Sequence, residues 1–197
     1  MTKKPKNPIP IYHLKIVLQE TEPPIFRILQ IKGNANLGRL HDYIQGAMGW
    51  KDSHLHEFKI KERRYQAEEQ MYDDMFDESD YRINKLLQEG DSFEYIYDYG
   101  DCWEHKITVE KIIPPEDGVY YPICSYGERA CPPEDCGGTM GYEELLEVLN
   151  NPEHEDYEHF SEWVDEDFDS EVFDIEKTNR VIRNIKSNLK EKKGNWM

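Results

Sequence analysis

The chain has 197 residues, with 41 Asp and Glu against 24 Lys and Arg, which leaves a formal charge of −17. That length suits one compact domain, and the acidic balance argues against duplex DNA, whose binders need a basic footprint to displace counterions. Thirteen Tyr, seven Phe and four Trp bury enough area to build a core and exclude wholesale disorder. No apolar run approaches the roughly 20 residues of a membrane-spanning helix. The first ten residues hold Lys and Pro but no apolar stretch of a secretion signal. The expectation is a cytoplasmic chain with no membrane partner.

Residues 1–10 read as an irregular leader, 11–190 as one domain and 191–197 as a tail. Tyr12, Leu14, Ile16 and Leu18 alternate with His13, Lys15 and Val17, the period of a strand. Pro23-Pro24 breaks the chain, and Ile25 to Ile31 resumes as a second strand, so the two predict an antiparallel hairpin. Asn36 is a natural N-cap, and Leu37, Leu40, Ile44 and Met48 follow at helical spacing. Gly49 supplies a left-handed stop. His54, His56, Phe58 and Ile60 then alternate as one face of a strand. Lys61 to Arg64 reads as a charged turn, Ala67 to Tyr81 as a loop with partial helix, and Leu86-Leu87 as a short buried segment.

Phe93, Tyr95, Tyr97 and Tyr99 alternate with polar neighbours, and Trp103, His105, Ile107 and Val109 do the same after Gly100-Asp101. Two such runs around a Gly-Asp turn predict a β-hairpin. Residues 120–141, with three Cys, three Pro and four Gly, predict a structured loop without a regular strand or long helix. Tyr142, Leu145, Leu146 and Leu149 mark a helix stopped before Pro152, and Tyr157, Phe160, Trp163 and Val164 a second. Asp174 caps a last helix with Ile175, Ile182, Ile185 and Leu189 on its inner face. Strands, a helix, more strands and then helices define a single α+β domain, a mainly antiparallel sheet with helices packed on one side.

The charge is uneven along the chain. From Glu143 to Glu176 there are 15 acids and no Lys or Arg, and from Lys177 to Lys193 seven basic residues face one acid, Glu191. The pattern predicts a solvated acidic surface followed by a helix with a basic outer face.

Several strings together resemble the plasmid pRiA4b ORF-3-like family, some of whose members carry insertion-element passenger or resolvase-like labels. They are PPIFRILQI, LGRLHDYIQGAMGWKDSHLHEF, GDSFEYIYDYGDCWEHKITVE, the Cys-rich YPICSYGERACPPEDCGG and FSEWVDEDFDSEVFDIEKTN. The resemblance spans Tyr12 to Arg180. It implies a single roll-like α+β domain associated with mobile elements and brings no assigned reaction. Phe26 stands where Trp is common in the family, and Cys102 where Ser is common. Serine-resolvase chemistry needs a nucleophilic Ser near the start, whereas the first Ser here is Ser53.

Four constellations could carry chemistry. Cys124, Cys131 and Cys136 could wrap a zinc ion, with His105 or Cys102 as a fourth ligand; the alternative is buried thiols packing as small apolar groups. A reducing compartment disfavours disulfides among the four Cys. Tyr97, Asp98, Asp101, Trp103 and His105, with Glu104 beside them, could line a pocket at the hairpin turn. His105 would be a general base there, or the group is a stable Gly-Asp turn under an aromatic ladder. His54 and His56 lie two apart and, with His41 on the preceding helix, could hold a metal; otherwise they are a polar strand end with His56 hydrogen-bonded in the core. Glu134-Asp135 could receive a partner's Arg or form a capped turn. No Walker loop, GxGxxG or GxSxG is present, so no reaction is specified. The reading is a non-catalytic interaction or regulatory module, with no cofactor beyond the zinc the thiols could take and with a protein partner favoured over nucleic acid. A zinc-dependent, hydrolytic enzyme built on the Cys loop and His105 is the alternative.

Overall fold

The computed structural model describes residues 8–68, 74–165 and 167–192, with side chains through residue 185. Strands β1 (Ile11–Leu18) and β2 (Phe26–Lys32) form the first hairpin, Leu14 opposite Leu29. Helix α1 (Leu37–Met48) begins at Asn36, whose side chain accepts from the Arg39 N–H. It ends at Gly49, in the left-handed conformation at φ 98°. Then come β3 (His56–Ile60), β4 (Arg63–Gln66), the short β5 (Phe76–Asp77), a single 3-10 turn (Glu78–Asp80) and the one-turn helix α2 (Ile83–Leu86). Strands β6 (Ser92–Tyr97) and β7 (Trp103–Ile113) make the second hairpin, Tyr95 opposite His105 and Tyr97 opposite Trp103. The chain closes with β8 (Ile123–Glu128), α3 (Gly138–Leu149), α4 (Tyr157–Trp163) and α5 (Ile175–Lys192).

The eight strands form one sheet in the order β5-β4-β3-β6-β7-β1-β2-β8, antiparallel except for β4 beside β5. The long-range partner of β1 is β7, so the two sequence-local hairpins join into one surface. Alternation along each strand buries one face of it. Leu14 and Ile16 of β1, Leu29 of β2, Tyr95 and Tyr97 of β6, and Ile107 and Val109 of β7 are all fully buried. The opposite face carries exposed Glu104 and Lys106 and half-buried Lys15 and Thr108. Full burial of each large apolar side chain contributes about 1.5–3 kcal/mol. Helix α1 covers the apolar face through Leu37, Leu40, Ile44 and Ala47, and α5 packs on α1 through Ile182. Gly46 permits that approach: a Cβ there would lie 2.6 Å from the Ile185 side chain. Asp174 caps α5 by accepting from the Lys177 N–H at 2.8 Å.

Three expectations change. The turn expected over Lys61–Arg64 is confined to Lys61-Glu62. The chain returns as β4, because Tyr65 and Gln66 find buried positions beside β3. The loop expected over residues 67–81 contains β5 and the 3-10 turn; residues 69–73 lie outside the described residues. The Cys-rich segment does contain a regular strand: β8 pairs with β2 as a sheet edge, its register shifting between Ile28 and Leu29. That strand forms through a non-local partner despite its flanking Pro and Gly.

Candidate functional site

Three loops meet at one end of the sheet: the segment after α1, the β6–β7 turn and the Cys-rich loop between β8 and α3. Trp50, just beyond the α1 stop, fills the space over the hairpin. Its ring stacks on Tyr97 at 4.9 Å, meets Trp103 at 5.9 Å and points its face at the edge of His105 at 5.4 Å. Its indole N–H donates to the Pro132 carbonyl at 3.0 Å. Tyr97, Trp103 and His105 are therefore buried beneath Trp50, and His105 also borders a cleft of about 300 Å³ with Phe93 and Glu104. His105 is 1 % exposed. Its Nδ1 faces the Trp103 carbonyl at 3.0 Å and the Tyr95 carbonyl at 3.3 Å, so Nδ1 carries the hydrogen, and the buried Nε2 has no partner. Burial lowers the His105 pKa to about 4.

The hairpin tip holds the Cys loop. Asp101 accepts from the Gly137 N–H at 3.1 Å, and Gly138 packs so tightly that a Cβ would come within 2.6 Å of the Asp101 carbonyl oxygen. The Tyr97 hydroxyl accepts from the Ser53 N–H at 2.9 Å and donates to Glu134 at 2.5 Å. Burial, reinforced by the Glu134 carboxylate, pushes the phenol well up and keeps it a donor.

The four Cys are free thiols. Cys124 is in the core, Cys131 and Cys136 are half-buried against it, and Cys102 is exposed. Burial pushes the Cys124 thiol up to about 11 and that of Cys136 to about 12. Among the described residues, no three of Cys124, Cys131, Cys136, Cys102 and His105 bring their ligand atoms within reach of one ion. The ligand groups that do converge are His41 with Asp52 and His56, and His54 with Asp98 and Asp135. The expectation that His54 and His56 share a strand face is overturned. β3 starts at His56, and the chain bends before it, which sends His54 to the hairpin tip and His56 under α1.

In the first group the His41 and His56 rings stack 3.5 Å apart and 9° from parallel. The Asp52 N–H donates to Gln45 Oε1, which fixes the amide so that Gln45 Nε2 donates to the Tyr95 hydroxyl at 3.0 Å. The Tyr95 hydrogen then goes to His41 Nδ1 at 2.9 Å, and His41 Nε2–H donates to Asp52 at 2.8 Å. His56 Nε2 pairs with Glu78 at 2.8 Å, and its buried Nδ1 has no partner. These bonds form a connected network beside a cleft of about 290 Å³. The two ring planes are nearly parallel, so the imidazole lone pairs lie in separate planes.

A groove runs beside these loops. The connection from α4 to α5 lies along the end of α1, leaving two adjoining clefts of about 460 and 450 Å³. They share Met48, Trp50, Cys131, Asp165 and Phe168, so they are two halves of one groove. Its apolar surface continues through Trp163 in one half and Val172 and Val181 in the other, all exposed. Its rim carries Glu134, Asp135, Asp165, Asp167, Asp169 and Asp174 against Lys51 and Lys177. Every described acid between Glu143 and Glu176 is exposed, as the charge pattern predicts.

Arg27 under the groove had no sequence signal beyond a charge in an apolar strand. It is 1 % exposed. Its guanidinium donates to the carbonyls of Ala47, Phe26, Glu128 and Arg129 at 2.8–3.0 Å and lies 3.9 Å over the Phe173 ring. It thus ties the end of α1 to the edge strand β8, where a cation also meets the helix C-terminal dipole.

An open, mostly antiparallel eight-stranded sheet under helices, with a Cys-rich loop docked on a hairpin tip, defines the class of fold. The chain belongs to the family described as Plasmid pRiA4b ORF-3-like protein, which it matches over residues 10–177. It is 34 % identical to "Uncharacterized protein y4hQ" of Sinorhizobium fredii over 179 residues, covering 89 % of this chain and 92 % of that protein. It is also similar to the crystal structure of the protein of unknown function MM3350 from Methanosarcina mazei Go1. That likeness has a TM-score of 0.79 at 40 % identity and covers 85 % of this chain and 96 % of the other. The family is one of uncharacterised proteins. Among the described residues no helix is long and apolar enough to cross a membrane.

Proposed function

We propose that the protein is a non-catalytic interaction module whose groove receives a basic segment of a partner protein. The observation that carries this reading is the pairing of an apolar floor, Trp163, Phe168 and Val172, with a rim of six carboxylates and two Lys. An Arg- or Lys-bearing segment with apolar residues between its charges satisfies both parts. Apolar side chains leave water on the floor, and cations meet carboxylates at the rim, where complementarity sets specificity and on-rate. Phosphate backbones meet the wrong sign of charge on this face.

Fluorescence anisotropy with a labelled peptide alternating Arg and Leu, in buffer containing chelator, tests the proposal. Saturable binding is expected that weakens as salt rises and falls about tenfold in Asp165→Asn/Asp167→Asn/Asp169→Asn, because long-range attraction and rim pairs are lost together. A Glu-Leu peptide binding equally well, an unaffected triple variant, or nanomolar binding of a labelled DNA duplex would overturn it.

A further inference from the structure

We propose that His54, Asp98 and Asp135 form a divalent-cation site that clamps the β6–β7 hairpin tip to the Cys loop. This goes beyond the groove reading and does not depend on it. His54 Nε2 is shielded from water and makes no hydrogen bond. Yet Asp135 Oδ1 lies 3.1 Å from it and Asp98 Oδ2 3.6 Å. Both contacts are within ion-pair distance but neither has hydrogen-bond geometry, and the three donor atoms lie within 4.8 Å of one another, an arrangement that a shared cation satisfies better than one proton. Donors bound about 2.0–2.2 Å from one ion stand roughly 3–3.5 Å from each other, and these separations fall in or next to that range.

The rest of the arrangement leaves the right atoms free. Asp98 is nearly buried, and its Oδ1 is occupied by the Gly100 N–H at 2.8 Å, which leaves Oδ2 turned toward His54. Asp135 is mostly exposed, so one side of the site opens to water and can complete the coordination sphere. The three donors come from three loops far apart in sequence, already held against one another by the Tyr97–Glu134 and Asp101–Gly137 hydrogen bonds. An ion here needs little further ordering of the chain. The contrast with His41 and His56 is geometric: their rings are stacked and His41 has both nitrogens bonded, whereas the unstacked His54 faces two carboxylate oxygens at 3.1 and 3.6 Å.

The donor set is one imidazole and two carboxylates. Imidazole favours Zn²⁺ and its first-row neighbours, carboxylates add Mn²⁺, and neither thiolate chemistry nor a six-oxygen Mg²⁺ cage is provided. The test uses full-length protein stripped with chelator and then dialysed. Calorimetric titration with Zn²⁺ is expected to give one site per chain, a raised melting temperature as binding stabilises the folded state, and no heat from Mg²⁺. Co²⁺ in place of Zn²⁺ should give visible ligand-field bands without the near-ultraviolet charge transfer of a cobalt–thiolate bond. His54→Ala should weaken Zn²⁺ binding by more than about a hundredfold, because loss of an outer-shell partner alone costs 10–100-fold. Asp98→Asn, which keeps the oxygen that accepts from Gly100, should weaken it strongly with an unchanged metal-free melt. His41→Ala should bind Zn²⁺ as the parent does. Absence of a one-to-one isotherm, retention of binding in His54→Ala, loss of it in His41→Ala, or a thiolate band with Co²⁺ would each overturn the site. Peptide binding is measured in chelator, so either proposal can fail without the other.

Discussion

His54 and His56 are separated by one residue and live in opposite environments. His56 is inserted under α1, stacked on His41 and paired with Glu78, in a network whose donors and acceptors can be followed from the Asp52 N–H through Gln45 and Tyr95 to His41 and back to Asp52. His54 stands at the junction of three loops, its Nε2 within ion-pair distance of Asp135 and Asp98 but hydrogen-bonded to neither. The same residue types, His with Asp or Glu, serve cohesion in one place and leave capacity for a ligand in the other. What separates them is burial and bonding: His56 keeps a 2.8 Å bond to the buried Glu78, although its Nδ1 is unpartnered, whereas His54 has longer contacts to Asp135 and Asp98 beside open water. A buried network in a low-dielectric setting fixes side chains in one arrangement; a solvent-facing cluster leaves room for a further atom.

The difference should be largest in stability. His56→Ala removes a ring stacked on His41 and leaves the Glu78 carboxylate, 5 % exposed, without the nitrogen it bonds. Cavity and orphaned carboxylate together should cost about 3–4 kcal/mol, read as a lower denaturation midpoint in urea. A loss below about 1 kcal/mol would show that the stacked pair is not part of the folding core.

A second consequence belongs to His105, the sealed imidazole next to Tyr95. Its folded pKa of about 4 lies below the ordinary value of 6.5 because burial penalises the charged ring. In the unfolded chain the ring takes up a proton near pH 6.5, while in the fold it resists until about pH 4. The unfolded state thus binds more protons between these values, and stability falls as pH drops through them. Nothing is lost above pH 6.5, and the loss grows to about 3 kcal/mol by pH 4. His105→Gln should flatten the pH dependence of the unfolding free energy over that window relative to the parent. Parallel curves would place the proton elsewhere.

The sequence patterns that proved legible are local ones. Alternation located both hairpins, and the Asn36 and Gly49 caps of α1 were readable because each acts on its own helix end. β8 was not readable, since its strand character comes from β2, almost a hundred residues earlier. Nor was the burial of Arg27, whose partners include carbonyls from two distant segments, the end of α1 and the end of β8. The grouping of His41 with His56 holds, their rings stacking at 3.5 Å, while two other groupings differ. Period-two spacing put His54 with His56, and loop composition put His105 with the thiols. The actual neighbours of His54, Asp98 and Asp135, are brought in by the hairpin turn and the docked Cys loop. No window of sequence contains that contact.

The smallest expected effect is the sharpest probe of the contrast. His54→Ala in metal-free protein removes a ring that makes no hydrogen bond through Nε2 and is partly exposed. It leaves behind two carboxylates, of which Asp135 is solvated and Asp98 keeps its bond to the Gly100 N–H. Removing the ring also takes away an edge contact with Tyr97 at 5.9 Å, a minor loss. The net change should stay within about 0.5 kcal/mol, the range of substitutions that disturb no buried network. Urea denaturation of parent and variant in chelator reads it directly. A loss of 2 kcal/mol or more, matching His56→Ala, would mean that His54 already bonds Asp98 or Asp135 in solution; the two clusters would then be one kind of structure, and the open nitrogen would have no claim on a ligand.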